Sequence, residues 1–193
     1  YKIHADFSEA KTLAELSLAN TKKSRGEKHL DSAIPMTILA NIHKEMGHYP
    51  QAEKLYQTVL SIYENQLSKS HPLLAKSLNN LAVPYRLTGR QKDALPLFKR
   101  ARSICLNAFG ELHPDSAICL NNLAENAVYL GEYEKAADMY KTSLVYLKKT
   151  LGRDHPLLAI TLSNYADLLR IQGDIRMADY NISKADKIRI KTF

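Results

Sequence analysis

The chain has 193 residues, of which 45% are apolar and 24% charged, and this composition excludes disordered and fibrous classes. Seven glycines and seven prolines are too few for a loop-rich all-β protein, and two cysteines cannot form a disulfide framework. The net charge of +7 keeps nucleic acid and acidic proteins open as partners, while no stretch approaches the ~18 apolar residues of a membrane span, so we expect no membrane insertion.

The sequence repeats itself every 42 residues, and this period dominates its pattern. Residues 68–109 and 110–151 are identical at 11 of 42 aligned positions. The residues that recur at this spacing are His29, His71, His113 and His155 (the last three followed by proline), Gly47, Gly89, Gly131 and Gly173, and Ala40, Ala82, Ala124 and Ala166. Self-similarity at a fixed period of this length indicates an array of structural repeats.

In chain order, residues 1–25 predict only the second helix of an incomplete repeat, and four full repeats of two helices follow. The full repeats are 26–67, 68–109, 110–151 and 152–193. In the second of them, Pro72 suits the first position of a helix, where no hydrogen bond is lost, and Gly89 suits the left-handed position past its end. We therefore predict a first helix over 72–87 and a second over about 91–108.

Each predicted helix carries one apolar face. Leu74, Leu78 and Leu81 lie on one side of the first helix at ~100° per residue, and Leu97 and Phe98 do so on the second. A single helix pair cannot bury both faces, but a stack of pairs can. The sequence therefore predicts an all-α fold, a right-handed α-solenoid of antiparallel helix pairs.

The repeat resembles a known family. The matching residues in the second repeat are Leu78, Leu81, Ala82, Tyr85, Gly89, Ala94, Phe98 and Ala101, which follow the tetratricopeptide repeat (TPR) pattern in type and spacing. The period is longer than the ~34 residues of the common form. The run Gly-x-x-His-Pro-x-x-Ala-x-x-Leu-Asn-Asn-Leu-Ala at 110–124 is similar to the 42-residue repeats of kinesin light chains. The resemblance covers essentially the whole chain and implies a TPR superhelix that binds proteins.

The face of each first helix opposite its packing residues is the candidate binding surface, lining the concave groove of the predicted stack. The candidate residues are Asn41, Lys44, Lys76, Asn79, Asn80, Val83, Arg86, Asn121, Asn122, Glu125, Tyr129, Asn164, Asp167 and Arg170. Asparagine is a middling helix former, and its amide can both donate to and accept from an extended peptide backbone. In proteins that this repeat resembles, equivalent asparagines hold a peptide in this way. The alternative is that they bond to the neighbouring repeat and only hold the stack together.

The charge of this face limits the classes of partner that could bind there. The whole face, including Glu45, has four cations against three carboxylates, so most of the net charge of +7 lies elsewhere. A groove for nucleic acid should be richer in cations, so we expect nucleic acid to be an unlikely partner. Lys76, Asn80 and Arg86 could contact a terminal carboxylate, but Glu125 and Asp167 oppose one. We expect a peptide of mixed or modestly acidic character, contacted at internal residues, with Val83, Val128 and Tyr129 forming shallow apolar pockets.

The residues that could bind a metal or act in catalysis are better explained by structural roles. The recurring histidines would lie ~10 Å or more apart in a stack, whereas zinc needs ligands at ~2 Å, so we expect them to cap the following helices rather than bind metal. Cys105 and Cys119 lack a Cys-x-x-Cys pattern and are predicted to be buried apolar residues. No nucleophile elbow or phosphate loop occurs, so we expect no catalytic residue, cofactor or small-molecule substrate.

Two further features concern packing. Pro84 lies inside the first helix of the second repeat and should kink it, either shaping the ligand site or bending the stack.

The last helix carries an apolar edge that predicts further repeats or self-association through exposed solenoid ends. Its residues are Ile175, Ile182, Ile188, Ile190 and Phe193.

The sequence as a whole favours a non-catalytic protein–protein interaction module, an adaptor or scaffold that binds a peptide segment of a partner in its groove. The alternative is a structural spacer or oligomerisation segment with no peptide ligand. The first residues lack the apolar run of a signal peptide, and the two cysteines are expected to be free thiols, so we expect a cytoplasmic protein.

Overall fold

The computed structural model describes residues 2–192, with side chains from Ser8 onward, and all regular structure in this part is helical. A short 3-10 helix, Leu30–Ser32, precedes the second α-helix. The α-helices are α1 (Lys2–Arg25), α2 (Ala33–Glu45), α3 (Tyr49–Gln66), α4 (Pro72–Leu87), α5 (Gln91–Phe109), α6 (Pro114–Tyr129), α7 (Tyr133–Leu151), α8 (Pro156–Ile171) and α9 (Ile175–Thr192). None of these helices is long and apolar enough to cross a membrane.

The chain divides into two compact units, one up to Arg90 with α1 to α4 and one from Gln91 onward with α5 to α9. In the first unit, α2 pairs with α3, α1 packs against α2, and α4 packs against α3. In the second unit, α6 pairs with α7 and α8 with α9, while α5 packs against α6 and α7 against α8. The first helices α6 and α8 also touch each other directly, so their outward faces form one surface within this unit.

The recurring histidines cap the helices that follow them, as predicted. Each accepts a hydrogen bond through Nδ1 from the backbone N–H two residues later, which satisfies one of the donors left open at a helix start. The bonds are His29 with Asp31 (3.2 Å), His71 with Leu73 (3.2 Å), His113 with Asp115 (3.1 Å) and His155 with Leu157 (3.2 Å). The last three histidines precede a proline at the first helical position, whereas His29 precedes Leu30 and the 3-10 helix.

The first helices end at glycine. Gly89 has φ of 80°, a left-handed conformation that residues with a Cβ rarely adopt, and the next N–H, of Arg90, reaches back to the carbonyl of Tyr85 at 2.8 Å. The same closing bond recurs at the 42-residue period at His48–His43, Glu132–Ala127 and Asp174–Leu169. The glycines that recur every 42 residues in the sequence therefore mark the ends of the first helices.

Alanines let paired helices approach closely. Ala124 on α6 and Ala136 on α7 are fully buried and share one apolar cluster with Tyr140. Ala166 on α8 and Ala178 on α9, one period later, are also fully buried in a common cluster. A larger side chain at these positions would force the helix axes apart, because packed interiors have few voids.

Pro84 fills a core position. Helix α4 continues through it to Leu87, and its carbonyl accepts hydrogen bonds from the backbone N–H and the hydroxyl of Thr88. The residues at the same position of the other repeats, Ile42, Asn126 and Leu168, are also buried. The ring of Pro84 therefore lies among packing residues and adds no surface to the predicted binding face.

The apolar edge predicted for the last helix is only partly exposed. Ile188 is 4% exposed and belongs to a core cluster, and Ile182 is half-buried. Ile175 and Ile190 remain open to solvent, at 54% and 79%. Phe193 lies outside the described residues. The helical period explains the difference, because residues on one helix point to several sides and only some face outward.

Candidate functional site

The fourteen candidate residues all lie on first helices, seven in each unit. In the first unit they are Asn41 and Lys44 on α2, and Lys76, Asn79, Asn80, Val83 and Arg86 on α4. In the second unit they are Asn121, Asn122, Glu125 and Tyr129 on α6, and Asn164, Asp167 and Arg170 on α8. Each unit contains a pocket on this face.

The pocket of the first unit, here called the α2–α4 pocket, has a volume of about 190 Å³. Its lining residues are Ile34, Thr37 and Ile38 of α2, Val59 and Tyr63 of α3, and Leu73, Lys76, Ser77 and Asn80 of α4. The rim is apolar and open, since Ile34 is 65% exposed and Ile38 is 42% exposed. Exposed aliphatic side chains around a concave site favour an apolar group of a ligand.

Three of the polar residues that line this pocket lie on α4. Lys76 is exposed and is the one charged residue of the lining, while Asn80 is half-buried. Ser77 is 3% exposed, and its hydroxyl has no hydrogen-bond partner in the described part of the chain. A buried hydroxyl without a partner is costly, so a ligand that bonds to it would remove that cost.

Sequence reasoning missed Ser77, Val59 and Tyr63 as lining residues. Ser77 follows Lys76 on the turn of α4 that faces α3, and Tyr63 is contributed by a second helix, which the prediction assigned to packing alone. Burial raises the pKa of the Tyr63 hydroxyl, which is protonated at neutral pH and can donate a hydrogen bond. No local sequence signal identifies such residues, because they join the pocket only through helix packing.

The pocket of the second unit, the α6–α8 pocket, is larger, at about 310 Å³. Its lining residues are Glu125, Val128 and Tyr129 of α6, Tyr140 of α7, and Asn164, Asp167, Leu168 and Ile171 of α8. Tyr129 and Ile171 are each 55% exposed. Val128 and Tyr129 thus line a pocket as the sequence predicts, whereas Val83 lies outside both of these pockets and is half-buried.

The two pockets differ in charge. Among the described residues, no carboxylate lines the α2–α4 pocket, so Lys76 gives its rim a positive charge. The α6–α8 pocket has two carboxylates, Glu125 and Asp167, and no cation in its lining. Arg170 lies beside it and forms ion pairs with Asp167 (3.7 Å) and with Asp179 (3.3 Å).

The asparagines of the face serve more than one purpose. Asn41 accepts a hydrogen bond from the Tyr56 hydroxyl at 2.6 Å, and burial raises the pKa of that hydroxyl. Asn164 donates to the side chain of Asn121 at 3.4 Å, joining α8 to α6. By contrast, the amides of Asn80 and Asn122 are half-buried and bond to no other described side chain or backbone group.

Two candidates are less accessible than the sequence suggests. Arg86 is 5% exposed and Asn121 is 7% exposed, so neither offers a ligand much surface in this conformation. Their role in the groove stays a prediction. Lys44, another candidate cation, is half-buried and pairs with Glu45 at 2.9 Å. Lys76 is therefore the most accessible candidate cation of the first unit.

Comparison with protein families assigns the repeat. The family model described as tetratricopeptide repeat matches residues 5–65, 38–106 and 73–144, and the chain belongs to the tetratricopeptide repeat family. Repeats of this family generally serve as protein–protein interaction modules and typically form non-catalytic scaffolds. No curated protein matches the sequence.

Solved structures share the fold. BtubC from P. vanneervenii superposes with a TM-score of 0.78 at 21% identity, covering 99% of this chain and 76% of that one. A putative kinesin light chain from Podosopora anserina, with nearly identical TPR-like repeats, gives a TM-score of 0.72 at 22% identity, covering 100% and 91%. A variant of that protein gives 0.75 at 22% identity, with the same coverage. The predicted class, an all-α TPR solenoid, is confirmed.

Proposed function

We propose that this chain is a non-catalytic adaptor or scaffold module that binds a peptide segment of a partner protein along the groove face of its first helices. The observation that supports this most directly is the α2–α4 pocket, which combines exposed Ile34 and Ile38 with the unpartnered hydroxyl of Ser77. Asn80 lies at the same pocket, and its amide can bond to a peptide backbone.

The ligand we propose is a peptide of mixed charge, contacted at internal residues. An apolar side chain would enter the α2–α4 pocket, and a carboxylate beside it would pair with Lys76. A basic side chain would suit the α6–α8 pocket, where Glu125 and Asp167 supply negative charge. Exposed pairs of this kind contribute specificity more than affinity, so the apolar contacts would carry most of the binding free energy.

We also propose that the chain is one TPR array, with a partial repeat over 1–25 and full repeats at 26–67, 68–109, 110–151 and 152–193. The helix pairs α2–α3, α6–α7 and α8–α9 each fall within one of these limits, which supports the division. The cytoplasm is the compartment we propose, supported by the two buried cysteines, which are free thiols.

A peptide array screened with the purified chain, followed by fluorescence polarisation of the captured peptides, tests the groove. The variant replaces Asn80, Asn122 and Asn164 with alanine. If each amide contributes a net ~0.5–1.5 kcal/mol, the triple variant should weaken binding at least about tenfold. The matched control replaces Asn20, Asn65 and Asn107, three exposed asparagines on second helices, and should bind like the wild type.

The alternative, a structural spacer or oligomerisation segment, makes the opposite prediction. A chain with that role would capture no peptide reproducibly, or its captured peptides would bind equally to both folded triple variants. Circular dichroism and thermal melting of each variant establish that it is folded. Equal binding by the folded groove variant would refute a role for the first-helix asparagines.

A further inference from the structure

The two cysteines of the chain meet in the core of the second unit. Cys105 lies near the end of α5 and Cys119 in the second turn of α6, and their Sγ atoms are 3.3 Å apart. Both are buried, at 3% and 1% exposure, and both are free thiols. The chain has no other cysteine, so each thiol has one possible partner within the molecule.

We propose that Cys105 and Cys119 form a redox modification site, a latent disulfide that joins α5 to α6 when the protein meets a thiol oxidant. A disulfide has a sulfur–sulfur length of ~2.05 Å, so the two Sγ atoms must approach by about 1.2 Å. The two helices already pack against each other, so the bond requires a further approach of the two sulfurs and not a new contact between helices. The packing thus presents the thiols to each other in the reduced protein.

The oxidant class we consider is a small-molecule disulfide. The thiolate of one cysteine attacks a sulfur of the oxidant, forms a mixed disulfide and releases one oxidant thiolate. The thiolate of the second cysteine then attacks the protein sulfur of the mixed disulfide, forms the Cys105–Cys119 bond and expels the second oxidant thiolate. Two protons pass from the cysteines to the two released thiolates, and two electrons pass from the pair to the oxidant.

Burial makes the first step slow, whereas the proximity of the two sulfurs favours the second. The hydrogen bond between the thiols and their burial raise the pKa of Cys105, so the thiolate is scarce while the helices are closed. Entry of the oxidant therefore requires local opening of α5 from α6. Once one cysteine carries the mixed disulfide, its neighbour is held within reach, and the closing step is intramolecular.

The disulfide would stabilise the part of the chain that carries half of the candidate surface. Asn121, Asn122 and Glu125 follow Cys119 on the same helix. A bond between α5 and α6 limits the opening of α6, and it also restricts the unfolded chain by closing a short loop. This inference concerns the packing of the second unit and does not depend on the proposed peptide ligand.

The test treats the full chain with oxidised glutathione under native conditions, followed by intact mass and thiol counting after denaturation. We expect a loss of about 2 Da and the disappearance of both thiols together. The melting temperature should rise by roughly 5–10 °C, and dithiothreitol should reverse the rise. The control variants Cys105→Ser and Cys119→Ser should retain a single thiol or a stable glutathione adduct, without the rise.

Three results would overturn the proposal. They are a wild-type chain that keeps both thiols in excess oxidant, one that accumulates a stable glutathione adduct, or one that forms cross-linked dimers in place of the internal bond. Each is read from the wild-type mass and thiol count, so the conclusion holds even if a serine variant fails to fold.

Discussion

Replacing His155 with alanine removes one helix cap and little else. The imidazole Nδ1 accepts the N–H of Leu157 at 3.2 Å, and Pro156 follows at the first helical position. Alanine leaves that N–H without a protein acceptor. Loss of an N-cap typically costs ~1 kcal/mol, within a range of about 0.5–2, so we expect His155→Ala to lower the free energy of unfolding by about this amount.

His155 suits this test better than His29 or His113. His29 and His113 also lie near carboxylates, at 3.7 Å from Asp31 and 3.9 Å from Asp115, so their removal would change the surroundings of those carboxylates as well. His113 additionally stacks on Phe109 at 4.1 Å between ring centroids. A substitution at either position would combine several effects, whereas the cap is the one side-chain hydrogen bond that His155 makes among the described residues.

Urea unfolding followed by circular dichroism measures the effect. With a slope of about 2 kcal/mol per molar urea, a loss of ~1 kcal/mol moves the midpoint down by about 0.5 M. The matched control is His155→Asn, because asparagine is among the best capping residues and should restore the acceptor. Equal destabilisation by alanine and asparagine, or no destabilisation by alanine, would show that capping is not what His155 contributes.

Two further predictions concern pH and association. Burial lowers the pKa of His43, helped by the positive charges of Lys11 and His48, so the unfolded state takes up a proton more readily than the folded state. The stability that His43 contributes is complete above its unfolded pKa of ~6.5 and is lost as the pH falls below it, so wild type should lose more stability on acidification than His43→Leu in parallel urea titrations. Ile190 is 79% exposed, and we expect the sedimentation coefficient to rise with concentration in the wild type but not in Ile190→Asp. A coefficient independent of concentration in both proteins would contradict self-association through this end.

Local features of the fold were predictable from the sequence. The predicted helices over 72–87 and about 91–108 compare with observed helices Pro72–Leu87 and Gln91–Phe109. Proline, glycine and the capping histidine act on the backbone within a few residues, so their spacing in the sequence is also their spacing along the helices. Most helix boundaries then recur at the 42-residue period, although α2 begins at Ala33 after a short 3-10 helix.

The candidate site was predictable only in outline. The first-helix faces contain both pockets, and Lys76, Asn80, Glu125, Tyr129, Asn164 and Asp167 line them. Helical periodicity gives the direction of a side chain, but not how far a neighbouring helix covers it. Arg86 and Asn121 have the direction of a groove residue and are nevertheless buried.

The sequence alone determined that this protein is a repeat array, where its repeating helices start and stop, and which helix faces carry polar residues. The tertiary structure decided which of those residues reach solvent, that Ser77 and Tyr63 join the α2–α4 pocket, and that Cys105 meets Cys119. The physical reason is the distance along the chain over which each effect acts. Caps and periodicity act within one turn of one helix, whereas exposure, pockets and contacts between thiols arise from side chains of different helices brought together by packing.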